Sequence, residues 1–187
     1  MSTVVTVPTV PTDTVLQGAR VLLRQWRPAD RDAFAAMNAN PDVMRHFVGT
    51  MSRTESDASS DRMVDHHARL GYGWWVLQTP ELEFAGFVGL AEVPFDLPGL
   101  TGPHTQVGWR LLPSAWGRGL ASEAAALCLD HAKAALGLPQ VVSYTTLGNL
   151  KSIAVMQRIG MLEIGRFEHP RVPLGHPTRP HVLFSTR

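Results

Sequence analysis

The sequence is poor in the features that most readily betray a function. It has one cysteine, Cys128, in 187 residues, so no internal disulfide can form, and neither a stapled secreted scaffold nor a cysteine-rich metal module is on offer. Charged residues make up 18% and the net charge is only +1, which gives no support to the concentrated basic face of a nucleic-acid platform. No apolar run approaches a membrane span. No Lys or Arg precedes Arg20, and Pro8 and Pro11 interrupt the start, so the basic opening and apolar centre of a signal peptide are missing. The expectation is a cytoplasmic protein without nucleic-acid or membrane partners, with a homodimer left open. Residues 1–16 are expected to be a flexible arm and 17–187 a single domain.

What is present is a 44% hydrophobic chain with alternating strand and helix signals. "ARVLLRQW" (19–26) reads as a strand, and "RPADRDAFAAMNA" as a short helix with Pro28 and two early acids at its start. The chain turns at Asn40–Pro41. A second helix is predicted over Thr54–Leu70, capped by Thr54 and ended by Gly71. His66 and His67 point different ways on it, which predicts solvated side chains and no shared metal. Strands follow at 73–79, 84–95 and 104–112, then a helix over 117–136 whose inner face holds Leu120, Ala124, Leu127, Cys128 and Ala135. Cys128 is thereby a core residue and not a nucleophile. The strand "QVVSYTT", a helix from Asn149 to Gly160 and strands at 161–168 and 179–185 complete an α+β chain with a mixed sheet. Its central helix joins two strands as a parallel crossover does.

One stretch carries chemistry. "LPSAWGRGLASEAA" (112–125) lies between a predicted strand and a predicted helix. Glycines there let an anion approach the unpaired N–H groups of the helix start, where the dipole is positive. Successive N–H groups from Gly117 to Ala121 form a nest for a pyrophosphate, with Arg118 adding charge. The plainer reading is a turn and nothing more. Neither the dinucleotide fingerprint nor the P-loop pattern is present.

The run "VGWRLLPSAWGRGLASEA", followed by "VVSYTTLGNLKSIAVMQRIGM", resembles the GNAT superfamily of acyl-CoA-dependent N-acyltransferases, in the branch of the ribosomal-protein alanine N-acetyltransferases. The resemblance covers roughly residues 19–187. The family's loop, Q/R-x-x-G-x-G/A, is matched by Trp116, Gly117, Arg118, Gly119, Leu120 and Ala121, with Trp116 departing from Gln or Arg at the first position. It implies the GNAT fold, a splayed mixed sheet flanked by helices, with acetyl-CoA as co-substrate, no metal and an amine acceptor. The backbone of Arg110, Leu111 and Leu112 would pair with the pantetheine arm, Gly117 to Ser122 would hold the pyrophosphate, and Asn149 and Ser152 would lie on the cofactor side.

Acetyl transfer to an amine needs a base, a hydrogen-bond donor for the thioester oxygen and relief for the leaving thiolate. A backbone N–H near Leu111 is the expected oxyanion donor. Relatives carry a glutamate where this chain has Gln106, which cannot take a proton usefully. His104 and Glu92 are the remaining candidates for the base. Where relatives carry a tyrosine, this chain has Met156, leaving Tyr144 and Ser152 as donors toward the sulfur. "FEHPRVPLGHPTRPHVLFS" (167–185) reads as a stiffened loop between the last strands, lacking any recognised metal-ligand spacing. In the resembled fold it borders the acceptor pocket, which nominates Arg171, His176 and His181 for acceptor contact. Two functions follow: an N-acetyltransferase acting directly in a ternary complex, on a protein N-terminus or a small amine, or an acyl-CoA-binding protein of the same fold without efficient catalysis.

Overall fold

The computed structural model describes residues 14–187. Most of the expected arm lies outside the described residues. Its last part is tied down: β1 (Leu16–Gln17) forms a hairpin with β2 (Leu22–Arg24), and the carbonyl of Thr14 accepts from the Trp75 indole at 2.9 Å. The predicted strand over 19–26 is thus shorter than expected. After Arg24 the chain leaves the sheet, because that buried guanidinium is held bidentately by Asp30 at the start of α1 (Asp30–Ala39). Asn40 does more than turn the chain, since its side chain caps the short α2 (Pro41–Met44).

α3 (Arg53–Leu70) is capped by Ser52, not Thr54, through a reciprocal capping box with Glu55, and Gly71 ends it at a φ of 73°. Its histidines correct the expectation of solvated side chains. His67 is 2% exposed, bonded to Gln25 and edge-on to Trp75, and His66 is half-buried against Tyr72. Burial, with His66 and His131 nearby, pushes His67 down to about 4 from its ordinary 6.5. The folded state therefore binds the proton less well than the unfolded chain does. Stability is full above pH 6.5 and is lost as the pH falls from there toward 4. Urea midpoints at pH 7 and pH 5 will differ, and less so in His67→Asn; an unchanged difference in the variant would refute this origin.

The strands β3 (Trp74–Gln78), β4 (Gly86–Glu92), β5 (Thr105–Leu111), β6 (Val141–Thr146), β7 (Leu162–Glu168) and β8 (Pro180–Ser185) complete one sheet of order β1-β2-β3-β4-β5-β6-β8-β7. Neighbours are antiparallel except β5 and β6, which α4 (Leu120–Ala134) joins as the expected parallel crossover. That parallel pair is brief. It registers only at Thr105↔Val141 and Gln106↔Val142, whereas β4 and β5 pair from Glu92↔Thr105 to Gly86↔Leu111. Beyond Gln106 the sheet parts.

The core fills both faces. α4 buries Leu120, Ala124, Cys128 and Ala132 against Val88, Val107 and Leu111, while Ala135, expected inside, is exposed. Burial pushes the Cys128 thiol far up, as befits a core residue. Phe34 and Met37 of α1 pack on Val76 and Phe87 across the sheet, and Val142 and Leu183 bury Leu97 beside them. α5 (Leu150–Arg158) contributes Met156, wholly buried.

Candidate active site

The turn into α4 is built by conformation more than by side chains. After Leu112 a single turn of 3-10 helix (Pro113–Ala115) leads to Gly117 at φ 71° and Gly119 at φ 77°, left-handed values costly for any residue with a Cβ. The first bond inside the helix runs from Glu123 N–H to Gly119 O at 3.1 Å. The N–H groups of Leu120, Ala121 and Ser122 precede it and face outward from the helix start. Arg20 braces the turn: it donates to the Arg118 carbonyl at 2.8 Å and is held by Glu123. Arg118 reaches Glu81, Arg158 donates to the Ser122 hydroxyl, and Lys151 lies 4.7 Å from the centre of the Trp116 ring with Arg45 at 5.6 Å. Of these cations only Arg118 was legible in the motif.

The edges of the gap follow from strand alternation. Leu112 N–H donates to Ala85 O at 2.9 Å, so Leu112 and, two residues back, Arg110 spend their backbone groups on β4. Of the three residues expected to meet a pantetheine arm, Leu111 alone turns its N–H to the opening. Its carbonyl accepts from the Trp116 indole at 2.8 Å, which packs this tryptophan across the mouth.

Alternation also sorts the side chains by face. Glu92 and Thr105 are a directly opposed pair, so they share the α4 face, where His66 and Tyr72 are neighbours of Glu92. Gln106 and Arg110 point to the other face, which carries α1, and so do Tyr144 and Thr146. Glu92 is therefore separated from the rest of the predicted constellation. His104 sits one residue before β5, at the joined end of the strands, with its Nε2 buried and unpartnered among the described residues.

On the α1 face the structure brings the Gln106 and Tyr144 side chains beside one another at the point where the strands part. Burial pushes the Tyr144 hydroxyl up to about 12, which keeps its proton on. Around it stand Phe95, Phe167, His169 and His181, with the two imidazole centres 4.8 Å apart. Burial and cationic neighbours hold His169 down near 4, and burial lowers His181, so both are neutral at physiological pH. His181 is 8% exposed inside this ring cluster, while Arg171 is exposed and fixed to the Pro94 carbonyl. His176 lines a cavity of about 330 Å³ with Met44, Arg45, Phe47 and Thr50. Asn149 caps α5, its Oδ1 accepting from Ser152 N–H at 3.3 Å and its Nδ2 donating to Thr145. The Ser152 side chain is half-buried in that first turn.

One residue was not anticipated. His46, in the loop after α2, brings Nδ1 to 3.4 Å from the Thr146 hydroxyl across the opening. Burial, Arg45 and Lys151 all lower its pKa. Nothing in the local sequence marks it, since only the packing of α2 over the gap gives it a role.

A sheet parted beside an N–H-rich turn is the build of an acyltransferase that draws a phosphate-bearing donor into the opening. Residues 20–162 match the acetyltransferase (GNAT) domain, and the chain belongs to this family of N-acetyltransferases. The FsC-acetyl coenzyme A-N(2)-transacetylase of Aspergillus fumigatus is 29% identical over 169 residues, 85% of this chain and 69% of that protein. The acetyltransferase of Agrobacterium tumefaciens superposes with a TM-score of 0.73 at 26% identity, over 93% of this chain and 94% of that one. RimL, the ribosomal L7/L12 alpha-N-protein acetyltransferase solved with coenzyme A, superposes at 0.74 with 15% identity, over 92% and 97%. The expectations of the GNAT fold and family hold.

Proposed function

We propose that the protein moves an acetyl group from acetyl-CoA directly to a primary amine while both are bound. The observation that carries this is the parting of β5 from β6 immediately beside the left-handed glycine turn of α4. A donor seated there would lay its pyrophosphate on the N–H groups from Gly117 to Ser122, with Arg118, Lys151 and Arg158 adding charge. Asn149 and Ser152 would flank the arm from α5. The Leu111 N–H would meet the thioester oxygen as it gains charge.

His46 is our choice for the base. Its lowered pKa keeps the imidazole neutral at pH 7, free to take a proton from the incoming amine. His104, at the joined end of the strands, is the second choice. Tyr144, held by the rings of Phe95, Phe167 and His181, would hydrogen-bond the leaving sulfur without surrendering its own proton, and a thiol of pKa about 8.5 leaves tolerably on those terms. The acceptor would enter from the α1 face, past His176 and the ring cluster that includes His181, with Arg171 at the rim.

The test follows free thiol released from acetyl-CoA over a panel of peptides and small amines, alongside the melting temperature with CoA. Stabilisation with turnover is the expected result. Stabilisation without turnover on any acceptor would favour a CoA-binding protein that lacks chemistry, and no stabilisation would defeat both readings.

A further inference from the structure

Two inward-facing guanidinium groups, one buried and one half-buried, are treated differently. Arg24 is 4% exposed and meets Asp30 through both Nη atoms, the usual way of tolerating a buried cation. Arg110 has no such partner. Its Cζ lies 4.1 Å from the ring centre of Phe47 and 5.4 Å from that of Phe87, and Nη1 donates to Asn38 Oδ1 at 2.6 Å. Nε is buried without an acceptor, and no carboxylate among the described residues pairs with the group. Desolvation unrelieved by any anion lowers it to about 10. A half-buried cation whose Nε is cut off from water and unpaired costs free energy that a bound anion would return.

Position identifies where that anion comes from. Arg110 is on the α1 face of β5, and continuing the register from Gln106↔Val142 sets it level with Thr146, which His46 contacts from across the gap. Phe47, stacked on the guanidinium, is also a wall of the 330 Å³ cavity, whose lining holds Arg45 and no carboxylate, although Arg45 is itself paired with Asp42 from behind at 3.2 Å. The donor's phosphates belong at the far turn of α4. The group facing Arg110 is therefore on the acceptor.

We propose that Arg110 is a specificity residue that recognises a carboxylate on the acceptor, so that the substrate class is amines bearing a carboxylate, such as free amino acids. This rests on the acetyl-transfer reading above. The amine would lie near His46 and the carboxylate would displace solvent at the guanidinium between Phe47 and Phe87. Asn38, whose Nδ2 donates to Ser56, positions the fork from behind.

The experiment compares matched acceptors, glycine, β-alanine, γ-aminobutyrate and leucine against their amides, by kcat/KM with acetyl-CoA. Carboxylate forms are expected to be preferred by roughly 10- to 100-fold, the worth of a charge-assisted hydrogen bond. Arg110→Met should collapse that ratio toward one. Because its stacking position makes this variant prone to misfold, Asn38→Asp is measured as well: it is nearly isosteric and offers Arg110 an internal carboxylate. It should erase the preference by raising KM for the carboxylate forms, with the CoA-induced stabilisation retained. Amides acetylated as well as acids, or an unchanged ratio in Asn38→Asp, overturns the proposal. So does failure to acetylate any of these acids while CoA still binds and other amines are acetylated. Loss of CoA binding in the native chain would instead defeat the acetyl-transfer reading beneath it.

Discussion

Replacing His46 by glutamine lowers kcat by roughly 10²- to 10⁴-fold, the usual contribution of a positioned base, and leaves stabilisation by CoA intact. Glutamine keeps a polar group opposite the Thr146 hydroxyl, 3.4 Å from Nδ1 in the native chain, but cannot accept a proton from an ammonium. The pH profile separates this from a structural role. Arg45, Lys151 and burial hold the His46 pKa below 6.5, and a base works in its deprotonated form. Activity from the native enzyme is thus lost as the pH falls through a value below 6.5 and is independent of His46 above it. The variant should lose this acidic limb and keep only the limb set by the acceptor's own amine. A variant with both limbs intact would transfer the role to His104, whose substitution should then remove the limb.

The parts of this site that were legible in the sequence are those fixed by backbone conformation over short stretches. Gly117 and Gly119 announce a turn that other residues resist, and Asn149 announces a helix start; both stand where the spacing put them. Cys128 was legible as core because a helix repeats its buried face. What escaped depends on strand register or on elements distant in sequence. Glu92 and Gln106 read as near neighbours along the gap, yet one residue of strand phase sends them to opposite faces. His66 and His67, adjacent on a helix and pointing different ways, read as solvated until Trp75 and Tyr72 are packed against its end. Arg20, Arg45 and His46 surround the opening only after β1–β2 and α2 fold over it. Ser52 was the exception: its pattern with Glu55 was visible as a capping box, and Thr54 was the weaker choice.

Gly119→Val should abolish measurable stabilisation by CoA, raising the dissociation constant by at least roughly 100-fold. A side chain at a φ of 77° costs about 1–2 kcal/mol, and the chain will relieve this by rotating the start of α4. That rotation misdirects the N–H groups of Leu120 to Ser122, each worth about 1 kcal/mol to a bound anion. Space adds little, since the nearest atom to a Cβ there is Arg20 Nη2 at 3.4 Å, the end of a flexible side chain. A loss of binding through mere destabilisation must be told apart, and Gly137 supplies the comparison. It has a φ of 64° just beyond the other end of the same helix, with nothing within 4 Å of its Cβ. Gly137→Val therefore incurs the same backbone cost, about 2–8 °C of melting temperature in a chain of this size, far from the turn. Equal losses of stability with CoA binding lost only in Gly119→Val assign the glycine to the cofactor. Retained binding in Gly119→Val would leave the turn as a turn and move the pyrophosphate elsewhere.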